Sequence, residues 1–363
     1  MHRGVMQMLV RQDDLTEVSW LEESSVTLTD GQIRLRIEDF ALTSNNISYA
    51  LFGKKMRYWD FFPAPEGMGK LPVWGYGRII ESRVEGLEPG EKIYGFLPVS
   101  TEVVLIPGRI SDGDFFDASP WRQGLPAIYN NYLRVSKQPD FSGPSGLLQP
   151  IYRPLFATSY LIEAMLDEQS DFGGDAIILS SASSRTAMTL AYLLRQRGGN
   201  QVRCIGLTSS ANIAIVGESG LYDQLVAYEE LERLEAQPCV YMDFAGSTTV
   251  RSAVHRHFGD RLQYSCAVGG SHWQEVGGAS GLPGPKPLLF FAPAQAEKLA
   301  GEIGMGELQR RIDAALAAFL AWVMPGIALD RRIGSEAIEA LYREVLDGRI
   351  SPGAAAIARF SEE

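Results

Sequence analysis

Apolar and polar positions alternate over short runs in the first third of the chain. Gln32-Ile33-Arg34-Leu35-Arg36-Ile37 has the two-residue period of a half-buried strand. Arg78–Val84 and Lys92–Phe96 are two more strands, separated by the turn signal Glu88-Pro89-Gly90-Glu91, and Thr101–Pro107 is another that ends at a proline. The pattern predicts a small antiparallel β domain over residues 1–150. Its last stretch, 136–150, is rich in Pro, Gly and Ser and reads as a connection.

Beyond residue 150 the texture changes. Asp175–Ser180 is a continuous apolar run, as expected of a strand covered on both faces. A helix over Thr186–Arg197 follows, then strands at Val202–Leu207, Gln224–Val226, Val240–Phe244 and Leu262–Val268. Between them the pattern predicts helices at Ala211–Gly217, Tyr228–Glu235 and Thr248–His257, and Pro287–Phe291 closes the series as a last strand. Alternation of this length predicts a doubly wound parallel sheet with helices on both faces, over residues 151–293. Residues 294–363 read as a helical segment, Gln295–Met324 broken near Gly304–Gly306 and then Ser335–Leu346. A final strand at Ala354–Phe360 is expected to return to the first domain.

Composition narrows the function classes. The 363 residues are 45% hydrophobic and 21% charged, enough for large cores and against wholesale disorder. The longest apolar run, the eleven residues Ala314–Met324, falls short of the ~20 a membrane-spanning helix needs. The N-terminus lacks the pattern of a secretory signal, and three scattered cysteines make neither a disulfide framework nor a metal cage, so a reducing cytoplasm is expected. With 44 acids against 33 bases the net charge is −11, and no basic block suits nucleic acid or an anionic membrane. The expected partners are a small-molecule substrate and a second copy of the chain.

The turn after the first strand of the α/β half carries the most chemistry. A dinucleotide-binding turn has the form G-x-G-x-x-G, which lets the backbone approach a pyrophosphate and the helix pack on the strand. Here Ala182-Ser183-Ser184-Arg185-Thr186-Ala187 puts small residues at all three glycine positions. Two readings stand: a tight strand-to-helix turn with no ligand, or a phosphate cradle. In the second, the helix N-terminus, the hydroxyls of Ser183, Ser184 and Thr186, and the Arg185 cation meet the phosphates. NAD-specific sites place an acid about 20 residues further on, against the ribose hydroxyls. Between Ala187 and Gly217 there is no acid; Thr208, Ser209 and Asn212 stand there instead, a set that tolerates the 2′-phosphate of NADP(H).

These and other stretches resemble the medium-chain dehydrogenase/reductase superfamily, and within it a bacterial subfamily similar to quinone oxidoreductases. They include Ser44–Ala50, Pro72–Gly77, Tyr129–Tyr132, Arg153–Tyr160, Ser180–Ala187, Gly206–Ser209, Gly220–Asp223, Val268–Trp273, Leu282–Pro285 and Phe290–Pro293, and so run nearly end to end. The resemblance implies a chaperonin-10-like β domain, a Rossmann-type nucleotide-binding domain and a cofactor cleft between them. Zinc-dependent members need Cys, His and acid ligands in the first domain, and residues 1–150 contain no cysteine and only His2, so no metal is expected.

By analogy to zinc-free reductases, Asn45, Asn46 and Tyr49 would face the nicotinamide. There an amide or phenol polarises a carbonyl and Tyr49 delivers a proton. Helix capping by the asparagines and core packing by Tyr49 is the competing reading. Thr158-Ser159 are expected to open the helix beside the nicotinamide, Gly269 and Gly270 to meet its carboxamide, and His272 either to relay a proton or to serve structure. The aromatic run Tyr58–Phe62 reads as a pocket wall or as core. The activity expected is NADPH-dependent reduction of a quinone, enone or related activated carbonyl. The alternatives are an NADP-binding protein without redox turnover, and a non-redox enzyme acting on a natural-product intermediate. Edge pairing at Pro287–Phe291 predicts a homodimer.

Overall fold

The computed structural model describes residues 4–136, 138–197, 202–268, 281–350 and 353–362. The chain divides into two compact units, Met1–Arg153 with Leu320–Glu363, and Pro154–Phe319.

The first unit contains β1 (Gly4–Arg11), β2 (Val18–Ser24), β3 (Ile33–Ala41), α1 (Ser44–Leu51), β4 (Met68–Lys70), β5 (Pro72–Ser82), β6 (Lys92–Pro98), β7 (Glu102–Leu105), β8 (Pro107–Gly108), β9 (Asp114–Asp117) and β10 (Asn131–Arg134). The chain then enters α2 (Gly143–Glu168), within which the division falls.

The second unit continues with β11 (Ala176–Leu179), α3 (Arg185–Gln196), β12 (Arg203–Thr208), α4 (Ile213–Gly217), β13 (Gln224–Ala227), β14 (Cys239–Asp243), α5 (Thr248–Phe258), β15 (Leu262–Ala267), β16 (Leu288–Leu289), α6 (Ala292–Ile303) and most of α7 (Met305–Val323), whose end from Leu320 onward falls in the first unit. β17 (Ala328–Ile333), α8 (Ser335–Leu346) and β18 (Ala354–Arg359) belong to the first unit again.

In the first unit a three-stranded sheet, β2-β1-β4, accompanies a nine-stranded one ordered β17-β18-β3-β5-β6-β10-β9-β8, with β7 on β3. β3 shows why: Ile33, Leu35 and Ile37 all point into the core, and each such burial stabilises by about 1.5–3 kcal/mol. α8 buries Ile338, Leu341, Tyr342 and Val345, a helical stripe at i, i+3, i+4 and i+7, in the same core. β18 pairs antiparallel with β3, Ile357 opposite Ala41. β17, which the pattern did not predict, runs parallel to β18.

The second unit holds one parallel sheet in the order β13-β12-β11-β14-β15-β16. This is the strand order of dinucleotide-binding sheets, which reverses beside the first strand and leaves a crevice at the strands' C-terminal ends.

Several predicted elements change. The Pro- and Gly-rich stretch expected to be a connection begins α2 at Gly143, because Pro144 lies in the first helical turn, where a missing N–H is harmless. Thr158 and Ser159 therefore lie in the middle of a 26-residue helix and do not open one. Tyr228–Glu235 is a 3-10 turn over Tyr228–Arg233, and the edge strand shrinks to Leu288–Leu289.

Candidate functional site

In the second unit, polar groups converge where β11, β12, β13 and β14 end. Ser180 follows β11; its hydroxyl donates to Asp243 Oδ1 (2.9 Å) and accepts from the amides of Phe244 and Ala245. Asp243 Oδ2 takes the Arg251 guanidinium at 2.8 Å, which satisfies a carboxylate that is only 1% exposed. Ser181 adopts the left-handed conformation, φ 51°, a strained setting for a residue with a Cβ. Its N–H donates to the Tyr228 hydroxyl at 2.9 Å.

The next residues form the turn itself. Ser183 Oγ accepts from Asn212 Nδ2 at 3.2 Å and lies 3.5 Å from Thr208 Oγ1, so three of the sequence-chosen residues share one spot between the ends of β11 and β12. Ser184 is the N-cap of α3 and accepts from the Ala187 amide; its hydroxyl is engaged in the helix start. Arg185 and Thr186 form the first turn of α3, and the Thr186 carbonyl accepts from Ser159 Oγ at 2.9 Å. Thr158 Oγ1 turns back to the Pro154 carbonyl within α2.

Ser209 precedes the 3-10 turn Ser210–Asn212. Ser210 Oγ donates to Glu229 at 3.4 Å, so a carboxylate from beyond β13 stands at the end of the acid-free stretch. Sequence spacing missed it because Glu229 follows a different strand.

The absent turn glycines find a partial substitute in the next strand. A Cβ on Gly206 would fall 2.8 Å from Ala182 Cβ and 2.6 Å from Leu225, so only glycine there lets the turn and β12 meet. Gly269, Gly270 and His272 lie outside the described residues.

The first unit carries the tyrosine constellation. Thr43 caps α1, and Asn46, three residues on, accepts from the Thr43 amide at 2.7 Å while its Nδ2 donates to the Pro72 carbonyl at 2.9 Å. Asn46 is 2% exposed, and its side chain ties the start of α1 to β5.

One helical turn later Tyr49 Oη accepts from Asn45 Nδ2 (2.9 Å) and Trp74 Nε1 (3.1 Å). Its ring packs with Tyr58, Phe96 and Tyr129 at 4.7, 5.3 and 5.9 Å between centroids. The Tyr49 and Tyr129 hydroxyls are hydrogen-bond partners, and Tyr129 and Tyr58 hydroxyls stand 3.0 Å apart. Burial, the largest cause, raises the pKa of all three phenols, so the chain stays protonated at neutral pH. Tyr129 is half-buried and is the most exposed of the three.

Tyr129 was singled out in the sequence only as part of a resemblance, and Tyr58 only as one ring of an aromatic run; nothing in their spacing announces that their hydroxyls meet. Among the described residues no group of three or more His, Cys, Asp or Glu side chains could hold a metal ion, and no helix is long and apolar enough to cross a membrane.

Comparison with known proteins matches these features to a fold and a family. CurA from Vibrio vulnificus, solved with NADPH, superposes with a TM-score of 0.62 at 13% identity, covering 99% of this chain and 100% of that one. The quinone oxidoreductase from Coxiella burnetii gives 0.56 at 14% identity over 98% and 99%. An Etr1p mutant in complex with NADP and crotonyl-CoA gives 0.57 at 12% over 98% and 99%. The fold is thus that of the medium-chain reductases. No curated protein sequence matches the chain. Residues 40–351 match the family described as "Protein of unknown function (DUF2855)", and the chain belongs to that family.

Proposed function

We propose that the protein is an NADPH-dependent reductase of a quinone, an enone or a related activated carbonyl compound. The observation that carries this reading is the cluster of Ser183, Thr208 and Asn212 beside the α3 N-terminus, at the reversal point of a 3-2-1-4-5-6 sheet. The donor set fits a phosphate: hydroxyls, an amide and helix N–H groups converge there, and Gly206 gives the turn its room. NADPH supplies a hydride when bound. Ser183, Thr208 and Asn212 hold the adenosine phosphate, and the first turn of α3, Arg185 and Thr186, holds the pyrophosphate. Ser184 positions that turn as its N-cap. Proton delivery falls to the tyrosine chain, with Tyr129 as its more exposed end and Tyr49 and Tyr58 behind it.

A specific observation favours a second reading, binding without redox turnover. Asn46 is fully engaged in capping α1, and Tyr49 already accepts two hydrogen bonds, so neither is idle. Fluorescence titration with NADPH and NADH, followed by loss of reduced-nicotinamide absorbance against a panel of quinones and enones, separates the two. Tighter binding of NADPH with turnover is expected; binding without turnover selects the second reading, and no binding of either cofactor overturns both. The reading extends to a homodimer, because Leu288, Leu289 and Phe291 are 51, 50 and 41% exposed at the edge strand β16. Light scattering at micromolar concentration tests this, and a monomer refutes it.

A further inference from the structure

The first unit carries a half-open cavity of about 270 Å³ that the proposed reductase chemistry does not use. Its walls come from β1, β2, β3, β4 and the segments around Phe62 and Trp121. Phe61, Phe62 and Trp121 give it an apolar side.

Six charged groups line it, and four are already matched. Arg34 meets Glu102 at 3.4 Å, and Arg122 meets Asp117 at 3.0 Å with both side chains almost wholly buried. The remaining two are Glu23, which accepts a 2.6 Å hydrogen bond from Gln7, and Lys70, the last residue of β4. The Lys70 ammonium has neither a hydrogen-bond acceptor nor an ion-pair partner among the described residues; Glu23 is the acid whose field reaches it. Burial lowers its pKa and outweighs the opposing pull of Glu23.

We infer that Lys70 is a carbonyl-capture site, at which a small apolar aldehyde docks against Phe61, Phe62 and Trp121 and condenses with the amine. In the step, the uncharged Lys70 nitrogen attacks the carbonyl carbon, the oxygen leaves as water after taking up two protons, and a carbon–nitrogen double bond remains. The amine itself supplies both protons, so no oxidant or reductant enters. Glu23 is the acid available to shuttle a proton between nitrogen and oxygen. An amine that keeps its proton less tightly than an exposed lysine offers more nucleophile at neutral pH, which is how buried lysines become Schiff-base formers.

The test uses the full-length protein with benzaldehyde and cyanoborohydride, which traps the imine, followed by peptide mass mapping over time. The exposed Lys54, Lys55 and Lys286 serve as internal references. Lys70 is expected to be labelled several-fold faster than these, because burial leaves more of its amine uncharged, with a rate that saturates in aldehyde. Phe62→Ala is expected to weaken the saturation while leaving the reference lysines unchanged. Lys70→Arg is expected to abolish the fast phase. Labelling of Lys70 at the reference rate, or a rate that rises linearly with aldehyde without saturating, overturns the inference.

Discussion

Tyr49→Phe distinguishes a hydroxyl at work from a ring that merely fills space. The substitution keeps the ring, and with it the contacts to Tyr58, Phe96 and Tyr129. What it removes is one hydroxyl that accepts from Trp74 Nε1 at 3.1 Å and from Asn45 Nδ2 at 2.9 Å and is bonded to the Tyr129 hydroxyl, which keeps Tyr58 as its other partner. Trp74 is 9% exposed, and leaving a buried donor such as its indole N–H unsatisfied costs about 1–3 kcal/mol. Asn45 is half-buried and turns to solvent, so its share is small.

The expected loss is therefore about 2 kcal/mol, or a fall in Tm of about 4–8 °C for a unit of this size. Adding Trp74→Phe removes the orphaned donor, and the double variant should recover part of the loss, a coupling read by a double-mutant cycle. On the reductase reading, Tyr49→Phe also lowers turnover by about a hundredfold or more, the usual worth of a general acid, with NADPH affinity nearly unchanged. Thermal unfolding by circular dichroism and steady-state kinetics are the assays. A Tm within about 1 °C of the parent, with additive single and double variants, would refute the hydrogen-bond account; unchanged turnover would remove Tyr49 from catalysis.

Glu229→Gln, which removes the carboxylate beside Ser210, should tighten NADPH more than NADH, while Ser209→Asp should weaken NADPH selectively; titrations that shift both cofactors equally would contradict the placement of the 2′-phosphate. His255 is wholly buried, with Nδ1 2.9 Å from the Pro283 carbonyl and Nε2 2.9 Å from Ser265, and burial lowers its pKa. The unfolded chain therefore takes up this proton first, so stability is full above about pH 6.5 and declines below it. Urea unfolding of the parent and His255→Gln between pH 8 and 5 (chosen to bracket roughly the imidazole range) should give a flatter profile in the variant; parallel profiles would rule the imidazole out. Burial pushes Cys239 and Cys266 up to about 12 and Cys204 higher still, so the native thiols should resist a disulfide reagent and react only on denaturation. Rapid reaction of any native cysteine would overturn that.

What was legible in the sequence was whatever depends on local periodicity. Continuous apolar runs such as Ala176–Leu179, each followed by a helical stripe, specify a parallel sheet because only a strand covered on both faces tolerates that pattern. The turn at Ser183–Thr186 was equally readable, since a strand, small residues and a helix stand there in order.

What the tertiary structure decided were meetings between residues far apart in the chain. Tyr49 and Trp74, Tyr58 and Tyr129, and Ser210 and Glu229 are brought together by strand order and register, which no local spacing encodes. Asn46 shows the same division: its type and place suit a polarising amide or a helix cap, and the Pro72 carbonyl that engages its side chain arrives from β5. Side-chain chemistry is written residue by residue, whereas which hydroxyl remains available is set by the packing around it.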